Sequence, residues 1–213
     1  MNFVGHLALA APRGRSQPEF ALGAALPDFA AMAGVRLTAA GGAVGAGIAH
    51  HRACDEVFHA HPWFTARCYA LRDALLASGV PRGPARACAH AGVELLLDGA
   101  LMTDEQVRTQ VDDVFARASD APRDVVEIAP APDRDRWRGA LVRITTTLDP
   151  GRYADVRFAA ERLRRMTARR PRLALPAEDV GTVAAQLAAI RSDVVSTAQD
   201  VVDDVAGRLG NDT

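Results

Sequence analysis

Residues 90–101 read HAGVELLLDGAL, a leucine-rich stretch that carries acidic residues four positions apart. The pattern predicts a helix over residues 84–101. Because His90, Glu94 and Asp98 are spaced four apart, they share one face of that helix. Two carboxylates on a helix of leucine character are costly to bury unless they are paired or bind a metal. This stretch therefore predicts a buried helix with a polar site on one face.

The rest of the chain divides into further helical patterns at proline and glycine breakers. They lie at residues 44–59, 62–77, 104–118, 133–147, 153–168 and 179–208. In the N-terminal third, which is rich in glycine and alanine, helix boundaries cannot be assigned from the sequence. Residues 143–148 are β-like but too isolated to make a sheet, and residues 124–132 are expected to form an extended loop. We predict an all-α fold, a single compact bundle of about seven helices in one domain over residues 1–213.

Composition excludes several classes of function. All 25 basic residues are arginine, so Schiff-base chemistry, a P-loop lysine and a lysine base are excluded. The net charge of −1 argues against a nucleic-acid-binding protein. The first ten residues lack the basic start of a signal peptide, and no window reaches the roughly 18 apolar residues of a membrane span. Three cysteines without a C-x-x-C pattern are typical of a reducing compartment, so we expect a cytoplasmic protein that binds no membrane.

A second polar helix face precedes the leucine-rich helix. His51, Asp55 and His59 are spaced four apart, with further histidines at positions 50 and 61. An imidazole and a carboxylate at this spacing can reach one metal ion or one water. Two such faces opposed in a bundle would form a cage suited to Mn, Fe, Zn or Mg. The alternative is an exposed, ion-paired face, with Arg52 or Arg86 as the partner of Glu94.

The glycine-rich residues 41–47 (GGAVGAG) have no preceding strand, which argues against a dinucleotide-binding fold. A small-residue helix packed closely against a neighbour is the better interpretation. No Gly-x-Ser-x-Gly motif is present, and Cys54 beside Asp55 is expected to lie in the core.

Charge is distributed unevenly along the chain. Residues 161–172 contain six arginines and one acidic residue, whereas residues 177–213 contain seven acidic residues and two arginines. The arginine cluster suits a phosphate group or an acidic protein partner. Internal pairing between the cluster and the acidic C-terminal stretch is the alternative.

Several short motifs along the chain resemble the acyl carrier protein phosphodiesterases, which are similar to a divergent branch of the HD-type metal phosphohydrolases. They occur in the family's order and span nearly the whole chain. The motifs are MNFVGHLALA (1–10), GAALPDF (23–29), GIAHHRACD (47–55), HP (61–62) and MTARRPRL (166–173).

This resemblance implies an HD-like helical fold and a hydrolase that acts on acyl carrier protein. The reaction would cleave the phosphodiester between a carrier-protein serine and 4′-phosphopantetheine, an activity connected with fatty acid biosynthesis. A divalent metal is implied, with Mn²⁺ expected and Mg²⁺, Fe or Zn as alternatives. Another phosphoester remains an alternative substrate.

The resemblance also implies roles for individual residues. Asp28, His51, Asp55 and Asp98 would hold the metal, with His6 as a further ligand or base. In our assignment the metal ligands are His51, Asp55, His59 and Asp98, and the catalytic residues are His6, Asp28 and Glu94. The groups expected to bind phosphate or the acidic carrier protein are Arg52, Arg169, Arg170 and Arg172.

The chain departs from the family at two positions. Where the family resembles V-D-x-x-x-D-H-F-L, residues 93–101 read VELLLDGAL, so Gly99 replaces a histidine. His59 stands where an acidic residue is expected, and His59 and His90 could supply imidazoles instead. Gly99 motivates one alternative function, a catalytically degenerate module that binds carrier proteins. A helical oxidase with a carboxylate-rich di-metal site is a further alternative, although its Glu-x-x-His spacing is missing.

Overall fold

The protein is built almost entirely from helices, as predicted. The computed structural model describes residues 1–39, 41–120, 127–129 and 133–211. In these residues the α-helices are α1 (Phe3–Gly14), α2 (Pro18–Ala33), α3 (Gly42–Ala60), α4 (Pro62–Ala77), α5 (Arg82–Leu101), α6 (Glu105–Asp120), α7 (Asp133–Thr147), α8 (Val156–Thr167) and α9 (Val180–Asn211). Two 3₁₀ turns, Pro150–Ala154 and Ala177–Asp179, precede α8 and α9.

The helix count of about seven was too low, because α1 and α2 had not been assigned. Both helices are buried on most sides. In α1 the residues from Phe3 to Leu7 are all buried, and in α2 those from Phe20 to Leu26. A helix covered all round carries no apolar stripe, so its sequence lacks the periodicity that predicts a surface helix.

Two short strands were not predicted. Strand β1 (Arg36–Ala39) pairs antiparallel with β2 (Glu127–Ala129). The second strand lies inside the expected extended loop 124–132, whose other residues fall outside the described part of the chain. The β-like run that begins at Arg143 lies in α7, so its helical periodicity outweighs its β-branched composition.

Local signals set several helix ends where the sequence placed them. The Asp104 carboxylate accepts hydrogen bonds from the backbone N–H groups of Gln106 and Val107 at the start of α6. Pro62 occupies the first turn of α4, where its missing N–H costs nothing. Gly79, at φ 87°, adopts the left-handed conformation just after α4 ends.

Helix α5 runs through the centre of the molecule. All its residues from Leu95 to Leu101 are buried. The largest hydrophobic cluster contains these leucines and extends from Met1 to Val205. This continuity supports the prediction of one domain, which stays a prediction.

Helices α2 and α3 approach each other closely through glycine. A Cβ atom on Gly47 would overlap the backbone carbonyl oxygen of Phe20, and one on Gly23 would overlap that of Val44. The interpretation of the glycine-rich stretch as a closely packed helix is therefore confirmed. The contact matters for the site because α2 carries Asp28 and α3 carries the predicted histidine–carboxylate face.

Candidate active site

Three helices bring His6, Asp28 and His51 together. These residues lie on α1, α2 and α3, and each offers a ligand atom within 4.8 Å of the others. The imidazole rings of His6 and His51 are stacked, with centroids 3.7 Å apart. The chain thus gathers two imidazoles and a carboxylate from positions distant in sequence, a donor set that binds transition metals.

A backbone contact orients His51. Its Nδ1 donates a hydrogen bond to the carbonyl oxygen of Ala24 at 2.8 Å, which leaves Nε2 on the side that faces Asp55. Metal-binding histidines commonly donate their second ring N–H to a backbone carbonyl or a carboxylate. The local geometry of His51 is therefore that of a ligand held in a fixed tautomer.

Two polar atoms of this group are buried without a hydrogen-bond partner among the described residues. They are His6 Nδ1 and Asp28 Oδ2. Burial lowers the pKa of His6 to about 3 and raises the pKa of Asp28 to about 7. An unpartnered buried carboxylate oxygen is costly, and a bound cation would satisfy it.

Asp55 connects the imidazoles of this group. Its Oδ1 lies 3.2 Å from His6 Nε2, and its Oδ2 lies 3.5 Å from His51 Nε2. Although burial disfavours the charged carboxylate, the hydrogen bonds from His51 and His6 hold the pKa of Asp55 well below its ordinary value. Asp55 is therefore an anion at neutral pH that both imidazoles face.

A second group forms where α3 meets α5. His59, His90 and Glu94 place ligand atoms within 4.8 Å of one another. Oε1 of Glu94 lies 3.1 Å from His59 Nε2 and 3.2 Å from His90 Nε2, so both imidazoles face the same carboxylate oxygen. Burial opposes the charge of Glu94, yet hydrogen bonding with these two imidazoles keeps the pKa of Glu94 below its usual range.

The amino group of Met1 lies between the two groups. It is 2.8 Å from Asp55 Oδ1 and 3.1 Å from Glu94 Oε1. The two sets of imidazoles and carboxylates thus form one continuous polar region inside the bundle. Glu94 is paired with these groups, and the alternative pairing with Arg52 or Arg86 is not found among the described ion pairs.

Asp98, a predicted metal ligand, lies in neither group. It is fully buried and accepts hydrogen bonds from the Asn2 side chain at 2.6 Å and from the backbone N–H groups of Gly5 and Val4. These donors belong to the start of α1, so the carboxylate stabilises that helix N-terminus. Its assignment as a ligand is a prediction that this geometry does not support.

An open groove of about 1030 Å³ leads to the polar region. The acidic and imidazole side chains on its wall are Asp28, His59, His90 and Glu94. Its arginines come from four helices and the segment after α8, namely Arg72, Arg86, Arg143, Arg162, Arg165, Arg169 and Arg170. A groove with carboxylates at its base and arginines around them can receive a phosphate group next to a metal site.

The predicted substrate-binding arginines divide into two pairs. Arg169 and Arg170 line the groove. Arg52 is exposed on α3, and Arg172 lies exposed after α8 with its carbonyl against Gly83; neither side chain lines the groove.

Sequence reasoning missed Arg72, Arg86 and Arg143, because they are isolated in the sequence and meet the arginine cluster of residues 161–172 only after folding. The acidic helix α9 pairs elsewhere, through Asp193 with Arg67 and through Asp204 with His61 and Arg208. Among the described ion pairs, none joins a groove arginine to α9, so internal neutralisation of the arginine cluster is not what the structure shows.

Among the described residues, no helix is both long and apolar enough to cross a membrane.

Comparisons with known proteins point to the segment that carries most of the polar site residues. No curated protein and no solved structure gave a significant match. A family model described as acyl carrier protein phosphodiesterase matches residues 1–80. This span holds His6, Asp28, His51, Asp55 and His59, so the resemblance to the acyl carrier protein phosphodiesterase family is confirmed over the segment that supplies these five site residues.

Proposed function

We propose that the protein is a metal-dependent phosphodiesterase that removes 4′-phosphopantetheine from holo-acyl carrier protein. One observation carries the proposal. The carboxylate of Asp28, one oxygen of which has no hydrogen-bond partner among the described residues, lies beside His6 and His51 at an arginine-lined groove. The family match over residues 1–80 supports the substrate.

The residues present fit a divalent ion. His6, Asp28 and His51 would hold it, with Asp55 beside the two imidazoles. Two nitrogens and carboxylate oxygens suit Mn²⁺, Fe²⁺ or Zn²⁺ better than Mg²⁺, which prefers oxygen ligands. When bound, the ion would polarise the phosphoryl group and lower the pKa of a bound water.

The protein's own groups supply binding, orientation and charge. Asp55 lies 3.2 Å from His6 Nε2 and 3.5 Å from His51 Nε2, so it places a negative charge beside both imidazoles. Glu94, held by His59 and His90, places a second anion on the groove wall, where it can accept a proton from a substrate or from water. Arginines along the groove offset the negative charge of a phosphodiester and of an acidic carrier protein.

The pantetheine arm needs an apolar surface beside these charges. Two large apolar side chains on the groove are exposed to solvent, Tyr69 by 59% and Met166 by 43%. Phe64 and Leu173 also line the groove. The groove thus combines a charged base with apolar patches, as a substrate with a phosphodiester and a long neutral arm requires.

Asp55→Asn tests the proposal, with Glu56→Gln as the matched control, because Glu56 is the exposed neighbour on the same helix. We expect wild-type protein and the control to bind Mn²⁺ and to release the phosphopantetheine mass from holo-carrier protein. Asp55→Asn removes one charge between the two imidazoles, so metal content and turnover should both fall at least about tenfold. Full metal content and full turnover in Asp55→Asn would overturn the proposal.

Gly99 supports a second candidate function, a catalytically degenerate module that binds carrier protein through the arginine face. The family histidine is absent, and the backbone of Tyr153 and Ala154 lies where its side chain would begin. This function predicts that wild-type protein binds holo-carrier protein without cleaving it, and that added salt weakens the binding. Turnover by the wild-type protein would exclude it.

A further inference from the structure

One groove arginine differs from the others because part of its charged head is buried. Nε of Arg162 is buried and has no hydrogen-bond partner among the described residues. Its Nη2 donates to the sulfur of Met32, at 3.7 Å, and a thioether is a weak acceptor. Arg164 on the same helix pairs with Glu161, whereas the described ion pairs give Arg162 no carboxylate.

A buried guanidinium nitrogen without an acceptor is costly, because it has lost water without gaining a hydrogen bond. A side chain in this state is prepared to accept an anion from outside the chain. Such an anion would reach Arg162 through the groove, because Arg162 lines the groove wall.

The position of Arg162 relates it to the candidate metal group. Met32, which its Nη2 contacts, lies one helical turn after Asp28 on α2. Residues four apart on a helix are neighbours, with Cβ atoms roughly 5–6 Å apart. Arg162 therefore contacts the face of α2 that carries Asp28.

Surrounding residues hold Arg162 in place. Tyr153 is fully buried, and the charge of Arg162 acts on its hydroxyl, opposing the burial that raises the pKa of Tyr153 to about 12. Leu163, the next residue on α8, is fully buried in the core. Arg162 therefore extends from a helical turn that packs in the core, unlike the exposed Arg169 and Arg170, which follow the end of α8.

We propose that Arg162 is a phosphate-binding residue, whose guanidinium holds a non-bridging oxygen of a phosphoryl group next to Asp28. Arg162 lies in the arginine cluster of residues 161–172, but it was not among the individual residues predicted to bind phosphate. The inference rests on the proposed function for the identity of the substrate, but binding of a phosphoryl group can be measured without any turnover.

Calorimetric titration of the protein with inorganic phosphate tests the inference. The variants are Arg162→Gln and Arg162→Lys, and the matched control is Arg157→Gln, an exposed arginine on the same helix that does not line the groove. We expect Arg162→Gln to weaken phosphate binding at least about tenfold, Arg162→Lys to restore part of it, and the control to stay within about twofold of wild type.

Equal phosphate affinity in wild type and Arg162→Gln would overturn the inference, and so would absence of phosphate binding by wild type. Thermal unfolding of each variant shows whether the substitution disturbs the fold. If Arg162→Gln unfolds early, the comparison rests on Arg162→Lys, which keeps the charge and loses the two-pronged geometry.

Holo-carrier protein separates this inference from the proposed function. Phosphate binding that depends on Arg162, without cleavage of holo-carrier protein by wild type, supports the inference and contradicts the proposed function. Where cleavage does occur, Arg162→Gln should lower kcat/KM at least about tenfold at unchanged Mn²⁺ content, because the side chain contacts the phosphoryl group and not the metal.

Discussion

Gly99 packs against the turn that precedes α8. A Cβ atom at this position would lie 2.6 Å from the backbone N of Ala154 and 2.7 Å from the carbonyl carbon of Tyr153. The turn therefore occupies the space that the family histidine would need. Restoring that histidine in this chain requires the turn to move, so a single reversion cannot rebuild the family's motif.

Substitution by alanine isolates the steric effect. Gly99→Ala should lower the free energy of unfolding by about 1–3 kcal/mol, because the added methyl overpacks a buried backbone contact. Urea unfolding measures the change. Gly207→Ala in α9 is the control, since a Cβ there meets nothing within 4 Å and should leave stability unchanged or slightly raised. Equal effects of the two substitutions would contradict the packing argument.

Asp28 gives the metal-free protein a pH-dependent stability. Burial raises its pKa to about 7 from an ordinary value of 3.8, so the folded state binds this proton more tightly than the unfolded state does. The stability that protonated Asp28 contributes is fully present below pH 3.8, the pKa of this carboxyl in the unfolded state. It is lost as the pH rises through about 7, the pKa of Asp28 in the folded state. Relative to Asp28→Asn, wild-type protein should lose up to about 1.4 kcal/mol per pH unit across that window.

Urea unfolding with chelator present, at pH 4, 5.5 and 7, measures this difference between wild type and Asp28→Asn. The comparison cancels the other titrating groups, including His6, whose lowered pKa acts in the opposite direction. If the free energies of unfolding of the two proteins change in parallel with pH, Asp28 is not the source of the pH dependence. Because a bound metal requires the charged carboxylate, Mn²⁺ affinity of wild type should rise over the same pH range.

At the level of helices, the contact between α2 and α3 sets the distance between the ligand-bearing side chains. Gly47 lets the backbone of α3 touch that of α2 at Phe20, and Asp28 and His51 lie further along these two helices. Any side chain at position 47 must push the helices apart. Since packed helices do not deform continuously, the shift would reach the candidate metal group.

Gly47→Ala should therefore lower stability by about 1–3 kcal/mol and also weaken Mn²⁺ binding. Gly181→Ala is the control, because a Cβ at that position in α9 meets no atom within 4 Å. Urea unfolding and calorimetric Mn²⁺ titration give the two readouts. A loss of stability with unchanged metal affinity would show that the contact supports the fold without positioning the ligands.

Helices with one exposed face were predictable and helices covered on most sides were not. The assigned range 133–147 coincides with α7, and 62–77 coincides with α4, because both carry clear breakers or a polar face. Helix α2 lacks that contrast, and neither α1 nor α2 had boundaries that could be assigned from the glycine- and alanine-rich sequence. Their candidate site residues, His6 and Asp28, came from the family resemblance, since neither belongs to a periodic motif in its own helix.

For the whole molecule, the candidate site depends on how distant segments meet. The spacing of His51, Asp55 and His59 predicted one polar face, and folding places Glu94 and His90 against its end. The arginine cluster of residues 161–172 was visible in the sequence, but the groove was beyond prediction, because α4, α5 and α7 each add an isolated arginine to it. Only the packing of these helices turns a chain of net charge −1 into one with a basic groove.

This separation of charge predicts how an acidic carrier protein would bind. The double variant Arg169→Gln/Arg170→Gln removes two exposed charges from the groove, whereas Arg157→Gln/Arg191→Gln removes two exposed charges outside it. Both variants have the same net charge. The groove variant should weaken binding of holo-carrier protein about three- to tenfold at low salt, with a smaller difference at high salt, because exposed charges are screened over about 10 Å at 0.1 M ionic strength. Calorimetric titration at two salt concentrations measures both effects. Equal weakening by the two double variants would mean that overall charge, and not the arginine groove, attracts the carrier protein.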